Sequence, residues 1–252
     1  MELIAEAYSM LKKRTGLDND GLGDIFELWN RGELNSFLIE ITSHILHYKE
    51  ENGDYLLDHI LDVAGQKGTG KWSVMAALDE GDPLTLVSEA VFARFMSSLV
   101  NERERASVQY PSGKVGDMEA CITLNTSGIE AVRDALYAAK LISYAQGFSL
   151  MRRASERNGW NLDYGTIAKI WRKGCIIRSV FLERITQAFT KSPGLQNLLF
   201  DAFFHERMEN ALPALRGVVV DCVFNGIAAP CFFSALSYFD GLRNFTSAAN
   251  LI

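Results

Sequence analysis

Apolar residues along this chain recur at steps of three and four, the spacing of one face of an α-helix. Leu3, Ile4, Ala7, Met10 and Leu11 set the pattern from Met1 to Arg14. Gly16 interrupts it, and Asp18 or Asn19 is placed to cap a second helix through Ile25, Phe26 and Trp29. Gly32 ends that helix, and a third is expected over 37–50. A short helix over 56–64 follows, then one over 72–78, then a single long helix from Leu84 to about Ser107. The stretch 108–128, with Pro111, Gly113 and Gly116, predicts an irregular connection. Residues 129–158 form a long helical pattern whose small residues, among them Ala135, Ala138, Ala139 and Ala145, allow close approach on several sides. Val218-Val219-Val220 is β-branched, yet it lies inside a helical run over 211–225. No strand pattern emerges, so the expected fold class is all-α.

The pattern repeats. Ala5-Glu6-Ala7-Tyr8-Ser9-Met10-Leu11-Lys12-Lys13 matches Ala145-Gln146-Gly147-Phe148-Ser149-Leu150-Met151-Arg152-Arg153. Leu28-Trp29-Asn30-Arg31-Gly32 matches Ile170-Trp171-Arg172-Lys173-Gly174, and the run from Phe37 to Thr42 matches that from Phe181 to Thr186. The offsets stay between 140 and 144 and the order is kept. The expectation is one domain over 1–252, made of two copies of a multi-helix unit (about 1–107 and 140–245) around a shared core.

Composition adds limits. In 252 residues, 48% apolar and 22% charged content allows a sizeable core, and the net charge of -6 argues against general nucleic-acid binding. Cys121, Cys175, Cys222 and Cys231 make no C-x-x-C pair and are expected to be reduced thiols. No signal peptide and no apolar run near the ~20 residues of a membrane span is visible, so a cytoplasmic protein that engages neither nucleic acid nor membrane is expected. A helix opening at Met1 with no capping residue before it is expected to follow further chain.

The stretch with most chemistry is Gly65-Gln66-Lys67-Gly68-Thr69-Gly70-Lys71-Trp72. Glycines permit close backbone approach to a ligand, lysines bring charge and Thr69 a hydroxyl: the ingredients of a phosphate grip. A Walker A loop fits at Gly65, Gly70 and Lys71, but Trp72 stands where a metal-binding hydroxyl is needed, and the preceding segment has a helical pattern rather than a strand pattern. The plain alternative is a turn between helices with glycine as C-cap. The second copy has Asn197-Leu198-Leu199-Phe200 in place of the loop, so the loop elaborates one copy only and favours a ligand role. Lys67 and Thr69 are the candidate phosphate ligands. Arg94, set among Ala90, Val91 and Phe95, is the candidate second cation, with an ion pair to Glu89 as the structural alternative. His44 and His47 have a metal-compatible spacing but no third ligand, so no metal is expected; His59 and His205 read as structural, and Arg152-Arg153 as a solvated helix face. No catalytic apparatus is visible.

The loop from Ala64 to Trp72 resembles the signature loop of the 6-phosphogluconate dehydrogenase family. The similarity continues through Glu89-Ala90-Val91-Phe92-Ala93-Arg94, Ser143-Tyr144-Ala145-Gln146-Gly147, Ile170 to Ser179, Leu236 to Gly241 and Ala249 to Ile252. The resemblance implies oxidative decarboxylation of 6-phosphogluconate to ribulose 5-phosphate with NADP, a homodimer, and a substrate phosphate held by Lys67, Thr69 and Arg94. It also implies that NADP is bound mainly by a Rossmann domain absent from this chain. The chain lacks the family's K-x-x-H-N-x-x-E-Y segment, with its lysine base and glutamate acid, and the C-terminal tail that reaches the partner subunit's site. It also has Gly226-Ile227-Ala228 where the family often has G-I-P. No catalytic residue is therefore expected in this chain, and alone it is expected to be inactive. The alternative is a free-standing helical module that dimerises or binds a phosphosugar without catalysis.

Overall fold

The computed structural model describes residues 1–111 and 126–252. Among them the chain forms twelve α-helices, with two isolated β-bridges and no strand. In order these are α1 (Glu2–Thr15), α2 (Asn19–Asn30), α3 (Phe37–His47), α4 (Leu56–His59), α5 (Thr69–Glu80), α6 (Thr85–Ser98), α7 (Val100–Gln109), α8 (Thr126–Asn158), α9 (Tyr164–Ile170), α10 (Phe181–Lys191), α11 (Ala202–Phe224) and α12 (Pro230–Arg243). The fold is all-α, as the periodicity requires.

Several boundaries differ from expectation: the third helix ends at His47 rather than 50, and the helix expected over 72–78 spans Thr69–Glu80. The helix expected over 56–64 stops at His59, and Ile60 and Leu61 are exposed. Their apolar side chains carry the helical period but meet no core. The long helix from Leu84 breaks at Leu99, whose ψ of 52° lies outside the helical range, so α6 and α7 are separate. The connection expected over 108–128 lies mostly outside the described residues, as does Cys121; α7 runs to Gln109, and α8 begins at Thr126.

The centre of the fold is α8. Val132, Ala135, Leu136, Ala138, Ala139, Leu141, Ile142 and Ala145 have no solvent exposure. α11 lies along it, and α1, α5, α6 and α12 also pack against it. Alanines at the crossings let neighbouring backbones come close, which a helix covered on many sides needs. Around 35–37 and 178–180 the chain crosses itself, with Phe37 N donating to Arg178 O at 3.2 Å and Val180 N to Asn35 O at 3.2 Å.

Helices that begin inside this core must have their first amides satisfied without water. α12 is met by Glu6 of α1, buried, which accepts from Cys231 N at 2.8 Å and Phe232 N at 3.0 Å. α6 is met by Gln146 of α8, fully buried, which accepts from Leu86 N at 3.0 Å and donates to Thr85 Oγ1 at 2.9 Å. Glu6 and Gln146 are the two positions that the sequence repeat pairs. The buried carboxylates are held similarly. Arg14 forks onto the fully buried Asp221 at 3.0 and 3.2 Å, and Arg153 reaches Asp82 at 2.9 Å. Arg153 is exposed, as expected of a solvated face, and its guanidinium also pairs with the buried Asp82 just before α6. The buried thiols are inert: burial pushes Cys222 up to about 12 and Cys231 further still.

Glu6 makes stability depend on pH. Burial raises its carboxyl from an ordinary 4.5 to about 7, against the two amides that favour its anion. The folded state then holds more protons than the unfolded one between these values. This stabilisation is complete below about 4.5, declines as pH rises, and is gone above about 7. Glu6→Gln should remove this slope: in urea unfolding, the stability gap between wild type and variant shifts by about 2–3 kcal/mol in the variant's favour between pH 5 and pH 8. Gln146→Leu strands the Leu86 amide and should cost about 1–3 kcal/mol at either pH in the same measurement.

Candidate phosphate site at the start of α5

Residues 60–68 run from α4 to α5 as an irregular segment tied down from outside. Ala64 N donates to Ser97 Oγ at 2.9 Å. Arg103 reaches back from α7 to bond Asp62 O and Ser97 O, both at 2.9 Å, and the Asp62 carboxylate at 3.2 Å. Arg94 Nη1 donates to Gly65 O at 3.4 Å. Three side chains from α6 and α7 therefore fix the path of the loop, and one of them is the candidate cation.

Gly68 is the N-cap of α5 with φ 96°, a left-handed conformation in which any side chain would be strained, and no side chain caps this helix end. The positive end of the α5 helix dipole therefore lies at this loop. A Cβ on Gly70 would lie 2.8 Å from Val91 Cγ2, so glycine there lets the start of α5 sit against α6. The loop is thus a helix start rather than a C-cap turn. The Trp72 ring lies beside Gly68, within contact distance of a Cβ built there.

Lys67, Thr69 and Lys71 are exposed, and among the described residues neither lysine has a carboxylate in ion-pair range. Lys67 and Thr69 flank Gly68, and the bond to Gly65 O brings Arg94 to the same loop. Arg94 is half-buried and forms no ion pair with Glu89. Its charge is felt by the Glu2 carboxyl, where it offsets part of the upward push of burial. The Gln66 amide oxygen is enclosed without a partner. The set offers ammonium, guanidinium, hydroxyl and helix-start amides to an anion. Near it the described residues show no acid–base pair and no activated nucleophile.

His47 is occupied otherwise: it contacts Ser43 O at 2.9 Å and Asp24 at 3.1 Å, and the described residues show no cluster of three potential metal ligands. Sequence reasoning missed the clamps Ser97 and Arg103. Arg103 reads as part of a charged helix end, and only the break at Leu99 turns it back onto the loop.

A dinucleotide needs a glycine-rich turn between a strand and a helix. The sequence has no G-x-G-x-x-G and the described residues have no strand, so these residues do not form a dinucleotide cradle.

Comparison with known proteins gives a consistent result. The family model described as 6-phosphogluconate dehydrogenase, C-terminal domain, matches residues 1–252. Decarboxylating 6-phosphogluconate dehydrogenases are similar over the whole chain, with 50% identity in Mus musculus and 49% in Homo sapiens, each covered over 52% of its length. The Shigella flexneri enzyme is 48% identical and 53% covered. The chain thus spans about half the length of these curated relatives. A solved Plasmodium falciparum structure superposes with a TM-score of 0.93 at 38% identity, covering all of this chain and 54% of that one. It is described as 6-phosphogluconate dehydrogenase in its apo form, with its cofactor NADP+ and with its substrate 6-phosphogluconate. With the family model matched from end to end, this chain belongs to the 6-phosphogluconate dehydrogenase family, in its C-terminal all-α domain.

Proposed function

We propose that this chain is the substrate-binding and dimerising part of an NADP-dependent 6-phosphogluconate dehydrogenase, which oxidises and decarboxylates 6-phosphogluconate to ribulose 5-phosphate. The observation that carries the reading is the Arg94 bond to the Gly65 carbonyl, which ties a half-buried cation to the loop of Lys67 and Thr69. In this reading Lys67 and Arg94 neutralise the phosphate dianion, and the Thr69 hydroxyl and the first amides of α5 complete its hydrogen bonds. Anchoring that end orients the sugar chain for the reaction at the other. In the proposed reaction NADP accepts the hydride. The chain's own residues hold the substrate, and general acid–base work falls to groups outside it. We further infer that the domain is a duplicated unit, about 1–107 and 140–245, and the reciprocal helix starts met by Glu6 and Gln146 support this. A homodimer is supported by the exposed apolar side chains Trp72, Met75 and Leu78 of α5 and Phe92 and Met96 of α6.

Calorimetric titration with 6-phosphogluconate should give saturable binding that Lys67→Ala or Arg94→Ala each weakens about 10- to 100-fold, the worth of a charge-assisted hydrogen bond. Unchanged affinity in both variants would reject the site. The purified chain mixed with NADP and 6-phosphogluconate should give no growth in absorbance of reduced cofactor. Sustained turnover would show that the acid and base lie within it.

A further inference from the structure

The loop before α5 is held by a helix whose sequence is almost wholly polar. Of the ten residues of α7, Arg103 alone is drawn in from solvent. The turn at Leu99 starts α7, and Arg103 N bonds Leu99 O at 2.9 Å in its first turn, which aims the side chain back at the loop. One nitrogen, Nη2, then donates to both Asp62 O and Ser97 O, and so joins the loop to the end of α6. Ser97 continues the connection. Its Oγ accepts from Ala64 N at 2.9 Å and donates to Arg94 O at 2.8 Å. Arg94 in turn bonds Gly65 O. Asp62, Ala64 and Gly65 are thus gripped by one continuous set of hydrogen bonds just before Lys67.

We propose that Ser97 and Arg103 are positioning residues of the anion site: they hold residues 62–65 on the path that brings Lys67, Arg94 and the start of α5 to one anion, and touch no ligand themselves. The inference rests on the phosphate-site reading of this loop. Their donors are already spent. Both hydrogens of Arg103 Nη2 go to carbonyls, Nη1 is on Asp62, Nε is enclosed, and the single Ser97 hydroxyl hydrogen is on Arg94 O. Stabilising the fold is a small part of their role. The Asp62 side chain is 92% exposed, so its ion pair with Arg103 is screened by water and adds little. What the planar guanidinium supplies is direction, since a nitrogen bridging two carbonyls fixes how the loop lies against α6. Without it, the loop has to be ordered when the anion binds, and affinity falls by the fraction of time the loop spends on the right path.

The test uses the full chain, with 6-phosphogluconate as the calorimetric titrant and hydrogen–deuterium exchange as the second readout. Ser97→Ala and Arg103→Met should each weaken binding about 5- to 20-fold, as expected if the loop keeps its path only about a fifth to a twentieth of the time. Each should move the melting temperature by less than about 2 °C. Exchange in peptides covering 60–68 should quicken, while α8 exchanges as in wild type. Saturating ligand should slow it again, because the bound anion orders what the two side chains no longer hold. Ser97→Thr keeps the hydroxyl and should bind within about twofold of wild type. Lys67→Ala should lose affinity with exchange over 60–68 unchanged, which separates a ligand from a positioning residue. Wild-type affinity in both Ser97→Ala and Arg103→Met, no rescue by Ser97→Thr, or a loss accompanied by faster exchange throughout α8 would each overturn the proposal. If wild type binds no 6-phosphogluconate, or Lys67→Ala binds it as wild type does, the phosphate-site reading fails and this inference falls with it. If Lys67→Ala weakens binding and the Ser97 and Arg103 variants do not, this inference alone falls.

Discussion

A helix covered on nearly every side has to be thin, and α8 sets this condition for the whole fold. Its alanines at 135, 138, 139 and 145 have no exposure, and each lets a neighbouring helix approach more closely than a larger side chain would. Longer residues between them, Leu136, Leu141 and Ile142, fill the spaces that remain. Close packing of this kind excludes water from the middle of the molecule. Helices that start there need their amides met by a side chain, a need that Glu6 and Gln146 fill, and the buried Asp82 and Asp221 are each met by an arginine. Glu6, Gln146, Asp82 and Asp221 follow from that requirement rather than from any ligand.

The loop before α5 obeys the opposite rule. It lies outside the core and has few apolar contacts of its own, so its shape depends on hydrogen bonds from α6 and α7. Such an arrangement suits an anion site: the backbone is fixed from behind while Lys67, Thr69 and the helix start stay open in front. Arg94 takes part in both, since it supports the loop and brings its charge to it.

Much of this was legible in the residues. The three- and four-residue spacing gives most helices because their buried faces are continuous, and the loop announces itself by composition. Arg94 stands out because an arginine among Ala90, Val91 and Phe95 has no local use for its charge. What was not legible depends on distant partners. Ile60 and Leu61 extend an apolar period that nothing covers, so α4 ends early. Ser97 and Arg103 hold residues 33 and 41 positions away, and no local pattern encodes such contacts. The exposed Arg153 finds the buried Asp82, 71 positions away, a pairing that no local pattern encodes.

The Glu6 contact has a consequence in time. Glu6 and Cys231 are separated by 225 residues. At ribosomal speeds of roughly 5–20 residues per second, α1 emerges roughly 10–45 s before the amides it is to meet. During that interval its apolar face and its carboxylate have no α12 to close on, and the contact is among the most non-local in the molecule. Closure of α12 onto α1 is therefore a late event of synthesis. Until then the nascent chain is a client for whatever in the cell shields exposed apolar helices.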